Sequence, residues 1–152
     1  MHPFDPKSVL LAKHAQHVVL IHFPIALFLM GVVFDVAARW TKEATKRATL
    51  AATARLNLLV AAVFVVPTLA TGILAWQWQL AGARLKGLLL LHLVLGCTAS
   101  LLICVVGWIR FRRNGAISLP PGYYLPLEVL TAAVVALTAH IGGFLSGVNI
   151  PG

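Results

Sequence analysis

Apolar positions run almost unbroken through four stretches of this chain, at roughly 18–38, 56–80, 87–109 and 125–146. Each exceeds the ~20 helical residues needed to cross a hydrocarbon core of about 30 Å. The pattern predicts four transmembrane helices rather than a folded aqueous core. The connection at 79–86 allows only adjacent antiparallel helices, and 115–122, with Pro120 and Pro121, reads as a loop. The expected fold is all-α, an up-down-up-down four-helix bundle in one transmembrane domain. Spans one and three are then diagonal, as are two and four. Pro67 is expected to kink the second span by removing a backbone bond.

Composition sharpens this picture. Only 11% of the 152 residues are charged, and the net charge is +8. The basic residues sit at the ends of apolar runs, which points to membrane orientation rather than to nucleic acid. Eight of them flank the loops after spans one and three, against Lys7, Lys13, Arg84 and Lys86 on the other side. That asymmetry favours both basic loops in the cytoplasm and both termini outside, in a multi-pass membrane protein. Residues 1–16 are polar, without a small-residue cleavage site after the first apolar run, so the first span is expected to be retained. Residues 6–16 fit a short interfacial helix. Cys97 and Cys104 fall seven apart on one helical face and read as packing residues. Motifs of nucleotide binding, acyl hydrolysis or zinc proteolysis are absent, and no C-x-x-C-H is present.

Ionisable residues inside a bilayer are functional candidates, and here most are imidazoles. His22, His92 and His140 fall on three spans at one expected depth, a few residues inside the same surface, with His17 near that surface. Small residues accompany them: Gly96 one turn from His92, Gly143 beside His140, and Gly72 on the histidine-free second span. Such residues let a flat macrocycle approach the backbone, though small residues also serve plain helix packing. Two imidazoles facing each other across a bundle are the ligand set of a low-spin b-type haem. His22 with His92 is the first pair to consider, with His92–His140 and His22–His140 as alternatives. His17 and His22 are five apart, about 140° around a helix. Pro24 favours a helix that starts there, leaving His22 on a less regular segment free to aim inward.

Asp35 and Arg39, four apart, read as an ion pair on the helix surface near the interface. Glu128 is expected to pair with Arg55 or Arg112. Their functional counterpart would be proton uptake toward an inner quinone site.

The segment His17-x4-His22-Phe23-Pro24-Ile25-Ala26 resembles the start of a bacterial family of uncharacterised four-helix membrane proteins. His92 in Leu-Leu-His-Leu-Val-Leu-Gly and the closing His140-Ile141-Gly142-Gly143 resemble that family's later motifs. The likeness covers nearly all of 17–150, with departures at Val18, often proline in the family, and Ser146, often aromatic. It implies a likeness to b-type cytochrome membrane subunits. The expectation is an electron-transfer subunit rather than a stand-alone enzyme. It would carry one or more haems b between a periplasmic redox partner and quinone or another membrane subunit. Other subunits or further copies of the chain are the expected partners. The alternatives are a cofactor-free scaffold subunit and a zinc or copper site formed by His17, His22, His92 and His140.

Overall fold

A computed structural model describes residues 13–112 and 121–146. Four helices account for nearly all of them: α1 (Lys13–Trp40), α2 (Ala44–Gln79), α3 (Gly87–Arg112) and α4 (Tyr124–Leu145). Each is long and apolar enough to span a membrane. They pack in ring order, α1 on α2, α2 on α3, α3 on α4 and α4 back on α1, which leaves α1/α3 and α2/α4 as the diagonals. The expected up-down bundle is therefore what forms. Most of the interfacial segment at 6–16 and most of the loop at 115–122 lie outside the described residues.

The interior is narrow and the outside apolar. Phe28, Leu58, Ala61, Val65, Ile103, Val106 and Val135 meet along the bundle axis. Val63, Val66, Leu101, Val129 and Leu130 stand on the surface. In water such a surface would aggregate; in a bilayer it is what lipid chains cover. Small residues set the closest approaches. A side-chain carbon added at Gly31 would lie 2.7 Å from Leu58 Cγ, and one at Gly107 would lie 2.9 Å from Ala62 Cβ. Close approach of this kind is how apolar helices associate without a hydrophobic driving force between them.

Helix α1 corrects one expectation. It does not begin at Pro24 but runs as helix from Lys13, with Pro24 inside it and buried. Proline at that position leaves the Leu20 carbonyl without its helical partner. The Thr68 hydroxyl of α2 lies 3.5 Å from that oxygen. Packing against α2 therefore keeps the segment helical, because the freed carbonyl faces a polar neighbour instead of lipid.

The turn between α2 and α3 is tight. Ala81 and Gly82 adopt positive φ (46° and 65°), and Gly87 enters α3 at 57°. The Trp76 indole N–H donates to the Ala83 carbonyl at 3.0 Å and pins the turn to the last α2 residues.

Candidate functional site

Continuity of α1 through Pro24 decides which histidines face inward. Along a regular helix, His17, Pro24, Phe28, Gly31 and Asp35 share one face, and His22 is rotated some 140° from it. His17 is half-buried between helices, its Nδ1 3.3 Å from the Thr71 hydroxyl of α2. A Cβ at Gly72 would sit 3.0 Å from the His17 ring, so the missing side chain makes the notch in which the imidazole lies. On α3, His92 is half-buried as well and lies against Gly142 of α4, where an added Cβ would again come within 3.0 Å of the ring. Its Nδ1 is buried and has no hydrogen-bond partner among the described residues. The two imidazoles are close enough to interact electrostatically.

The structure thus brings together His17 and His92, from diagonal helices. His22 and His140 stand apart from this pair. His22 is exposed on the outer surface, and its Nδ1 donates to the Val18 carbonyl of its own helix at 2.6 Å. His140 is exposed and meets Phe144 edge-on, ring centroids 5.0 Å apart. Of the glycines singled out in the sequence, Gly72 cradles an imidazole. Gly96 faces Thr138 with room to spare, 3.9 Å to its methyl carbon. The second cradle is Gly142 rather than its neighbour Gly143. Among the described residues, no three of the His, Cys, Asp and Glu side chains are grouped to hold a metal ion. An open apolar groove runs between α2 and α3, beside Pro67, Cys104 and Gly107, and no histidine lines it.

A second polar cluster lies at the other end of the bundle. Asp35 is not on the surface paired with Arg39; it is 0% exposed and bound to Arg110 of α3, Nη2 to Oδ1 2.5 Å. Arg110, 4% exposed, also donates to the Ala51 carbonyl of α2 at 3.3 Å and lies 5.7 Å from the centre of the Tyr124 ring. The Tyr124 hydroxyl donates to the Val106 carbonyl at 3.0 Å. Glu128 of α4, also 0% exposed, turns to Asp35, not to Arg55 or Arg112. Arg112 instead covers the Trp108 ring at 5.5 Å. Arg39 remains within electrostatic range of both acids and reaches the Pro121 carbonyl at 3.4 Å.

The signal for this cluster was present in the sequence. Asp35 is eighteen residues, five helical turns, beyond His17 on the same face of α1. Arg110 continues the buried line Ala99, Ile103, Val106 of α3. Reading both as members of an interfacial charge belt hid their inward direction.

An all-helical membrane bundle with one imidazole-bearing level and one buried acid–arginine level is the class that fold and geometry define. The chain belongs to the family of predicted membrane proteins designated DUF2231, whose model matches residues 13–148. No curated protein and no solved structure matches the chain.

Proposed function

We propose that this protein is a b-type cytochrome subunit of a bacterial cytoplasmic membrane, in which His17 and His92 would hold one haem. The observation that carries the reading is the convergence of these two side chains, from diagonal helices, at one level of the bundle interior. The residues fit the group in type, and the two imidazoles come from diagonal helices. Histidine is a common axial ligand of haem iron, and a buried, unpartnered His92 nitrogen is otherwise costly inside a membrane protein. Gly72 and Gly142 give each ring a place against the flanking helix.

When bound, haem iron supplies a one-electron couple. The protein's part is ligation, orientation and a dry, low-dielectric surround, which together set the potential. Thr71, beside His17 Nδ1, fixes the orientation of that ring. The excess of basic residues at the opposite end supports a histidine level on the periplasmic side. A haem held there would carry electrons between a periplasmic donor or acceptor and the quinone pool or a neighbouring subunit.

Reduced-minus-oxidised visible spectra of protein purified from a haem-competent host test the reading. The expected result is a low-spin b-type signal at stoichiometric haem, lost in H17A and in H92A and kept in H22A and H140A. A folded, colourless protein overturns it. Loss of the signal in H22A with retention in H17A would replace the axial pair while keeping the haem.

One observation favours a second reading, a cofactor-free scaffold subunit. Each inward ring already fills its glycine notch, as side chains do in a closely packed bundle. On that reading H17Q and H92Q assemble normally, and no cofactor accompanies the wild type.

A further inference from the structure

We propose that Asp35 and Glu128 hold a single proton between them, making the basic end of the bundle a buried, reversible proton-binding site. The two carboxyl groups come from the two sides of the α1/α4 interface, both 0% exposed, and act directly on each other. No N–H or O–H group of the described residues donates to either Glu128 oxygen, and Asp35 Oδ2 is likewise without a donor. Two carboxylates facing each other in such a place would repel with little solvent to screen them. A carboxyl–carboxyl contact becomes attractive when one group carries the proton and donates it to the other, as in acid dyads that share one proton.

The surrounding donors favour Asp35 over Glu128 as the group that carries the charge. From α3, Arg110 commits Nη2 to Asp35 Oδ1 and to the Ala51 carbonyl. From α4, the Tyr124 hydroxyl donates to Val106 and the Thr131 hydroxyl to Leu127, so each spends its one proton on a backbone carbonyl. On α1, Arg39 acts on both acids at range while its Nη2 reaches Pro121. From α2 comes the Ala51 carbonyl and, one turn on, Arg55. Asp35 then carries the charge that Arg110 neutralises, and Glu128 carries the proton. Removing that proton leaves a second carboxylate against Asp35 and loosens the α1/α4 contact. Returning it restores the pair.

Infrared spectroscopy tests this on the whole protein in lipid, independently of the haem reading. The chain has only four acidic residues, Asp5, Asp35, Glu43 and Glu128, and Glu43 is exposed. The expected result is a protonated-carboxyl C=O band at neutral pH that shifts in heavy water. The band should disappear reversibly on alkalinisation, persist in D5N and be absent from E128Q. E128Q should unfold at the wild-type denaturant concentration, because glutamine is a neutral mimic of the protonated acid, and D35N should unfold at a clearly lower one. Identical carboxyl regions in wild type and E128Q at neutral pH would overturn the proposal. So would the absence of any such band from the wild type, a result that needs no variant to fold.

Discussion

At the scale of single residues, the candidate sites depend on atoms that are missing as much as on those present. Gly72 and Gly142 each leave the space of one methyl group for an imidazole edge, 3.0 Å from where a Cβ would stand. Alanine gains up to about 1 kcal/mol of helix propensity over glycine, but overpacking a close contact costs about 1–3 kcal/mol. G72A and G142A should therefore be neutral to about 2 kcal/mol destabilising, each with its histidine displaced. G96A, whose Cβ has 3.9 Å of clearance, should gain up to about 1 kcal/mol. Unfolding curves in mixed micelles check the order, and on the haem reading proposed above the haem content checks the displacement. The acid–arginine cluster makes a sharper contrast. Taking the carboxylate from Asp35 strands the buried Arg110 guanidinium, a loss of about 3–5 kcal/mol for D35N in the same assay.

The helices themselves were legible because an apolar run of some twenty residues has few alternatives in lipid. Their ends were not. The span read at 56–80 is helical over Ala44–Gln79, 36 residues and about 54 Å, far more than the hydrocarbon requires. Hydropathy reports where lipid begins, whereas a helix stops where its backbone loses partners, and polar residues such as Lys46 and Arg47 continue the hydrogen-bond ladder. The same distinction explains Pro24. Local propensity favours a helix start there, but contact with α2 around Thr68 sustains the helix on both sides, and this brings His17 inward in place of His22. Chain reversal between α2 and α3 depends on backbone sterics. Ala81, at φ 46°, bears the left-handed strain of about 1–2 kcal/mol that Gly82 and Gly87 avoid. A81G should raise the unfolding midpoint modestly, by up to about 1 kcal/mol after the entropy of glycine is counted, and G87A should lower it by about 1–2 kcal/mol. Equal midpoints for the two would mean that the turn is not held as described.

Over the whole molecule, the polar chemistry falls into two levels near opposite ends of the apolar region. His17 and Asp35 are eighteen residues apart on α1, and so are His92 and Arg110 on α3; at 1.5 Å per residue both separations are about 27 Å. That is close to the thickness of a hydrocarbon core, so each level sits near one face, with Phe28, Leu58, Val65 and Ile103 between them. If that packed middle carries no energetic signal, changes at the two levels should add to within about 0.3–0.5 kcal/mol, as is usual for sites well beyond 10 Å apart. The double variant G72A/D35N measures this against its two singles by denaturant unfolding. Additivity would mean that the histidine and proton levels are independent sites joined only by the bundle. A coupling of 1 kcal/mol or more would mean that displacing the His17 ring is felt at Asp35. The direct carriers would be the helices that hold both levels, above all α1, which contributes a residue to each.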